Sequence, residues 1–193
     1  MIIIKNAKNK TSNDFFMGMK TVCRFTSRTQ TKYSIHHVYV TNGFAVATDG
    51  HRLAEYKLPK LADDMGIVDG FYTVKSCTSA KIELERVENV GSFPKYQDVL
   101  IKDECNSIII DNYYNHFFDD YGFSYEMNEI IKKVCDISVN VQFLEEIPFN
   151  TDNLSTFKLK WTDNKHPIEL QSDTLRIVLM PVEPEKCFTV REN

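Results

Sequence analysis

A chain of 193 residues with a formal net charge of −4 can form one large domain or two small ones, and is too acidic overall to hold nucleic acid by bulk basicity. Its 42% hydrophobic content, with 13 Phe and 9 Tyr, supplies an ordinary globular core, and no apolar run reaches transmembrane length. Cys23, Cys77, Cys105, Cys135 and Cys187 are odd in number and contain no CxxC pair, which argues against a disulfide framework or zinc site and for reduced thiols in a cytoplasmic protein.

Met1-Ile2-Ile3-Ile4-Lys5 is too short and wrongly flanked for a signal peptide and reads as an opening strand. A first helix is expected over 14–25, capped by Ser12 or Asn13, because Phe15, Met19 and Val22 share a stripe that Phe16 and Cys23 widen. Gly18 weakens that helix by about 1 kcal/mol relative to Ala. Residues 37–47 are β-rich and broken by the hairpin signal Thr41-Asn42-Gly43, and Asp49-Gly50 is a second turn signal. Neighbours on a strand point to opposite faces, so His36 and His37 are expected to be structural, not chelating. Residues 61–69, acidic and carrying Gly66, are expected to form a loop. Ile82 and Leu84 then alternate with Lys81, Glu83 and Glu85, the period of a half-buried strand.

A join is expected near 101–106, dividing the chain into domains 1–101 and 102–193. Tyr113, Tyr114, His116, Phe117 and Phe118 suit a core better than a base-stacking patch. A second helix is expected over 125–136 behind Ser124, with Met127, Ile130, Ile131 and Val134 on one stripe. Residues 150–155 read as a loop. Phe157, Leu159 and Trp161 alternate with Lys158 and Lys160, a strand with one wet face. Residues 175–180 are apolar on both faces apart from Arg176 and read as a strand buried between layers, and the tail after Pro184 as loosely held. The order strand, helix, meander, then strand, helix, strands places the chain in the α+β class.

No Walker, GxGxxG, GxSxG or HExxH motif is present. Asp49 and His51 offer themselves as metal ligands or an acid–base pair, but no second His/Asp/Glu cluster accompanies them. A tight turn, with Asp49 bonded to its own backbone and Gly50 at positive φ, accounts for the same residues. No catalytic residue, metal or cofactor is therefore expected. Lys20 and Arg24 are i,i+4 neighbours with Arg28 just beyond, a repulsion of roughly 0.2–0.5 kcal/mol that is easier to understand on a face meeting a polyanion. Lys132 and Lys133 lie opposite the apolar stripe of the second helix.

Three segments carry a resemblance. Ala47-Thr48-Asp49-Gly50-His51-Arg52-Leu53-Ala54 resembles the ATDGHRLA signature of the bacterial DNA polymerase sliding clamp, the β subunit. Phe93-Pro94-Lys95-Tyr96-Gln97-Asp98-Val99-Leu100 resembles the FP-x-Y-x-x-VL segment that ends a clamp domain, and Val178-Leu179-Met180-Pro181-Val182 the VVMPM-type last strand. The likeness is good over 33–100 and acceptable over 157–182; elsewhere only element order matches.

The resemblance implies a DNA clamp fold of two clamp-like domains with antiparallel sheets outside and helices inside, acidic outside and basic inside, and no enzymatic activity. Double-stranded DNA would be met through phosphates by Lys20, Arg24, Arg28, Lys132 and Lys133. A hydrophobic groove would accept short peptides of a DNA polymerase or clamp loader. Thr48, Gly50, His51, Arg52 and Leu53 would line one side, Pro94 and Val99 another, and Val178, Leu179, Met180 and Pro181 the last, with Ile35 more loosely aligned. Leu53, Val99, Val178, Leu179 and Met180 would be the walls, and His51 and Arg52 rim donors. Val178 and Leu179 could equally be plain core strand. Asp98 stands where clamps of this family often carry a basic residue, which implies a different peptide preference. Two domains per chain imply a homotrimeric ring, in phage or mobile-element replication. The alternative is a monomeric clamp-like module that captures clamp-binding peptides without encircling DNA.

Overall fold

The computed structural model of the chain describes residues 1–7, 9–29, 31–102, 104–111, 120–147 and 156–183, with the backbone alone for 120–123. The aromatic patch at 113–118, the loop at 150–155 and the tail after Pro184 lie outside the described residues. Two compact units divide the chain, one of Met1–Asp98 with Asp173–Ile177, the other of Val99–Ser172 with Val178–Asn193.

In the first unit β1 (Ile2–Lys5) is followed by α1 (Lys10–Arg24), β2 (Val38–Thr41), β3 (Phe44–Thr48), β4 (Arg52–Lys57), α2 (Lys60–Asp64), β5 (Gly70–Cys77) and β6 (Lys81–Val87). The strands lie in the order β1-β6-β5-β2-β3-β4, and the described pairings among them are antiparallel. The β2–β3 hairpin forms as expected: Thr41 pairs with Phe44 and the two turn residues, Asn42 and Gly43, take φ 51° and 78°. β6 buries Ile82 and Leu84 and leaves Lys81 and Glu85 exposed, the alternation read from the sequence.

α1 starts earlier than its apolar stripe suggests. Asn9, not Ser12 or Asn13, is the cap, its Oδ1 accepting the Ser12 N–H at 2.8 Å. The first turn, Lys10-Thr11-Ser12, is polar and carries no periodic signal. Phe15, Phe16, Met19, Val22 and Cys23 are buried along its length. Gly18 has a packing reason: a Cβ there would stand 2.3 Å from the Tyr56 ring, so only glycine lets β4 come this close. The expected loop at 61–69 begins instead as the short α2, which follows Pro59 and seats Ala62 in the core.

In the second unit β7 (Asn106–Asp111) precedes α3 (Asp120–Cys135), α4 (Val141–Glu145), β8 (Thr156–Trp161) and β9 (Ile168–Gln171). These strands lie antiparallel in the order β9-β8-β7. α3 begins at Asp120, ahead of the expected start near Tyr125, and buries Met127 and Ile131. β10 (Leu175–Leu179) gives its first three residues to the first unit and its last two to the second, and all of it but Arg176 is buried.

β8 departs from the wet-face reading at one residue. Lys158 is exposed, but Lys160 is 1% exposed beside Glu169 at 0%. The Lys160 ammonium donates to the Ile101 carbonyl at 3.0 Å and lies 3.8 Å from Glu169 Oε1, while Glu169 Oε2 accepts the Ile101 N–H at 2.9 Å. Both polar groups of the Ile101 backbone are thereby satisfied without water.

Candidate functional site

The turn between β3 and β4 is hydrogen-bonded throughout. Asp49 Oδ1 accepts the N–H groups of His51 and Arg52 at 3.0 and 3.1 Å. Thr48 Oγ1 donates to the Arg52 carbonyl at 2.7 Å and accepts the Gly50 N–H at 3.1 Å. Gly50 takes φ 93°, a conformation that disfavours any side chain. The Asp49 carboxylate is thus committed to the turn and to Arg52 Nε, 2.9 Å away. Among the described residues no three His, Cys, Asp or Glu side chains come together to hold a metal ion.

Arg52 points away from solvent. It is 8% exposed, its guanidinium lies 4.3 Å from the centroid of the buried Phe25 ring, and Nη2 donates to the Arg24 carbonyl at 3.2 Å. That carbonyl is in the last turn of α1, where helix oxygens lack intrahelical donors. Arg52 therefore fastens the turn to α1, whereas His51 stands exposed at the tip.

Alternation along β4 sorts the neighbouring residues. Arg52 and Tyr56 both meet α1, so Leu53 and Glu55 point to the opposite face. Cross-strand partners share a face, and the pairs Phe71–Tyr39, Tyr39–Val46 and Val46–Glu55 continue that face across the sheet, with Thr48–Leu53 beside them. The Pro94 segment covers this same face. Phe93 stacks on Tyr39 with centroids 5.1 Å apart, Tyr39 stacks on Phe71 at 4.8 Å, and Tyr96 meets Phe93 edge-on at 6.1 Å. Tyr96, at the start of a 3₁₀ turn, is 7% exposed and lies near Glu55, which also faces Arg176 at 3.5 Å. Burial first, then the Glu55 carboxylate, pushes the Tyr96 phenol up to about 12.

The first unit thus brings Thr48, Leu53 and the Pro94 segment to one sheet face, and Arg52 with α1 to the other. Ile35 is buried at 8% and its carbonyl accepts the Ser27 N–H at 2.9 Å. Pro94 is half-buried. In the second unit Val178 and Leu179 are buried, Pro181 is half-buried, and Val99 and Met180 are 41% and 37% exposed. Beyond Pro181 the chain is pinned by the Val182 N–H, which donates to the Ser138 carbonyl at 2.9 Å.

Glu55, Tyr39 and Phe71 escaped the sequence reading. Their only signal was a charged residue between Ala54 and Tyr56 and two ring-bearing positions on strands far apart in sequence. His36 and His37 lie in the turn before β2, not on a strand, and their rings are 3.9 Å apart. Burial and then His36 lower the His37 pKa, and His37 Nδ1 bonds Thr73 Oγ1 at 3.1 Å.

Of the basic residues, Arg24 and Arg28 are exposed on or just past α1, and Lys132 and Lys133 are exposed in the last turn of α3. Lys20 is half-buried, its ammonium 5.9 Å from the Phe16 ring centroid. Its pKa is lowered by burial first and by Arg24 second.

No protein-family model and no curated protein matches the sequence. Among solved structures the fold is that of the bacterial DNA polymerase sliding clamps. The Caulobacter crescentus β sliding clamp, solved with polyethylene glycol at its β-motif tethering region, is 17% identical with a TM-score of 0.58, over 94% of this chain and 65% of the clamp. The Bacillus subtilis clamp is 12% identical with a TM-score of 0.56, over 94% of this chain and 64% of that one. The Bartonella birtlesii clamp bound to griselimycin is 16% identical with a TM-score of 0.54, over 94% and 66%. The chain therefore has the α+β clamp fold and spans just under two thirds of the length of these clamps.

Proposed function

We propose that the chain is a DNA sliding clamp, a non-enzymatic processivity factor that encircles duplex DNA and tethers partner proteins by their peptides. The observation that carries this reading is the first unit's sheet: Thr48 and Leu53 of the ATDGHRLA-like segment lie on one face of it with the Pro94 segment, and Arg52 lies on the other with α1, which carries Lys20 and Arg24. A clamp needs that separation, because its partners are held on one surface while phosphates slide past another.

The family resemblance assigns Leu53 and Pro94 of the first unit and Val99, Val178, Leu179, Met180 and Pro181 of the second to one groove, with Leu53, Val178 and Leu179 as its apolar floor and Val99, Met180, Pro94 and Pro181 toward the ligand. His51 and the Thr48–Gly50 backbone supply polar contacts, and Ile35 backs the wall. Arg52 serves by holding the turn rigid. Seating two apolar anchors contributes roughly 3–6 kcal/mol before entropic costs, which suits exchangeable partners. Met180 can repack around different side chains. The C. crescentus and B. birtlesii clamps carry polyethylene glycol and griselimycin respectively, and a groove of this kind here accepts a DNA polymerase or clamp-loader peptide.

Lys20, Arg24, Arg28, Lys132 and Lys133 would meet DNA phosphates without reading bases. Two clamp-like domains, 1–101 and 102–193, would close a ring as a homotrimer, a heterologous cyclic assembly. Its setting, on this proposal, is phage or mobile-element replication in a cytoplasm. A second reading is a monomeric module that captures clamp-binding peptides without encircling DNA, for which the groove alone suffices.

Light scattering with a nicked circular plasmid, and anisotropy with a fluorescent clamp-binding peptide, test both. A trimer retained on the circle and released on linearisation supports the ring. A strict monomer that binds peptide supports the second reading. Peptide affinity unchanged in His51→Ala and Met180→Ala would remove the groove from either.

A further inference from the structure

One pair of side chains stands outside this reading. Cys23 is buried on α1 and Cys77 is half-exposed at the end of β5, yet the two thiols are close enough to influence each other. A β-bulge makes the contact. Val74 pairs with Leu84, but the register then slips, so that Cys77 pairs with Ile82. Without the extra residue, Cys77 would share the face of Thr73 and Lys75; with it, Cys77 turns to the face of the buried Ile82, the side on which α1 packs. The sheet is bent here in a way that delivers a second sulfur to Cys23. Lys20 and Arg24, one turn apart on α1, put two positive charges beside Cys77.

We propose that Cys77 and Cys23 form a peroxide-responsive dithiol, with Cys77 the attacking thiol and Cys23 the resolving one. The site takes hydrogen peroxide as its oxidant. Cys77 thiolate attacks the peroxide: an S–O bond forms, the O–O bond breaks, and the leaving hydroxide takes up the proton Cys77 had lost. Cys23 then attacks the resulting sulfenic acid. The S–S bond forms, the S–O bond breaks, and water departs with the Cys23 proton. Two thiols lose two electrons, one peroxide gains them, and two waters result.

The electrostatics assign the two roles. The neighbouring Cys23 thiol draws the Cys77 thiol down to about 7, with Arg24 and Lys20 adding to it against the opposing effect of burial. The same proximity, then burial, raises Cys23 well above its ordinary value. Thiolate character and access therefore coincide at Cys77, while Cys23 waits protonated behind it. A reducing cytoplasm is where such a pair cycles as a sensor rather than standing as a structural bridge.

The test uses the full reduced chain treated with stoichiometric hydrogen peroxide, quenched with a maleimide in denaturant and mapped by mass spectrometry. A Cys23–Cys77 linkage is expected, with Cys77 consumed about tenfold faster than Cys105. Cys77→Ser abolishes the linkage, and Cys23→Ser leaves a dimedone-reactive sulfenic acid at Cys77. Lys20→Gln with Arg24→Gln slows Cys77 oxidation several-fold. Cys77→Ser changes a half-exposed residue, so the inference stays open to refutation even if Cys23→Ser fails to fold. Equal oxidation of Cys77 and Cys105, or sulfinic acid at Cys77 with Cys23 fully alkylated, overturns it.

Discussion

Two charge pairs hold loops in this molecule, one in each unit, and they differ in nearly everything else. Asp49 and Arg52 are three residues apart, and the aspartate side chain keeps 20% of its exposure. Its carboxylate serves the turn it belongs to, and Arg52 reaches from there to the Arg24 carbonyl and the Phe25 ring. Lys160 and Glu169 are 1% and 0% exposed and grip the backbone of Ile101, 59 and 68 residues distant. The first arrangement sits on a turn that local hydrogen bonds would stabilise anyway. The second places two charges in an apolar interior, where their desolvation is offset only while every partner is present.

The largest effect should therefore follow from breaking the buried pair. Lys160→Met takes the neighbouring ammonium away from the buried Glu169 carboxylate, and urea denaturation should show a loss of about 3–5 kcal/mol. Lys160→Met with Glu169→Gln keeps an acceptor for the Ile101 N–H, removes the orphaned charge and should recover at least half of that loss. A single mutant no weaker than the turn mutants described below would erase the distinction between the two pairs.

This contrast also marks what the sequence disclosed. Turn chemistry is local, so Asn42-Gly43 and Asp49-Gly50 announced their geometry through residue type, and β6 announced its faces by alternation. Alternation failed at Lys160, because its polar partner comes from a strand that the pattern of β8 does not mention. Alternation alone could not place Cys77 either, because an extra residue in β5 reverses the faces there. The apolar stripe of α1 located the helix but not its polar first turn. For the site, Asp49 and Gly50 were legible as a turn, and Thr48, His51, Leu53 and Pro94 only through the family resemblance. Glu55 and Arg52 became interpretable once the strand faces were known, since one faces the Pro94 segment and the other α1.

Gly18 gives the next effect and sharpens the comparison from the packing side. Ala in place of Gly improves helix propensity by about 1 kcal/mol. Its Cβ would nevertheless stand 2.3 Å from the Tyr56 ring, backed by strand and core. Overpacking should win, for a net loss of about 1–3 kcal/mol. Tyr56→Leu in the same chain should make Gly18→Ala neutral or stabilising. Additive losses in that double-mutant cycle would detach Gly18 from Tyr56.

Asp49→Ala removes two backbone acceptor contacts and the partner of Arg52 Nε. Water can replace part of what is lost at so exposed a turn, so the cost should be about 1–2 kcal/mol in the same denaturation experiment. Asp49→Asn keeps an acceptor oxygen for the turn and should cost less than Asp49→Ala. Were both to cost as much as Lys160→Met, locality would not be what separates the two pairs.

Tyr96 is the intermediate case, and it isolates charge from sequence distance. Its contact with Glu55 is non-local and largely buried, as with Lys160, but the phenol is neutral. Tyr96→Phe leaves Glu55 with Arg176, so the loss at neutral pH should be only about 0.5–1.5 kcal/mol. The pH dependence tests the contact directly. An unfolded-chain phenol ionises near 10, while the native Tyr96 phenol keeps its proton to about 12. Between those values the folded chain binds more protons than the unfolded one, so this contribution to stability falls as pH rises. The Phe variant lacks it, and the gap between the two chains should be constant below pH 10 and shrink from there toward 12. A gap that stays constant across that window would mean that the phenol is not held neutral against Glu55. The Pro94 segment would then rest on its stacked rings alone.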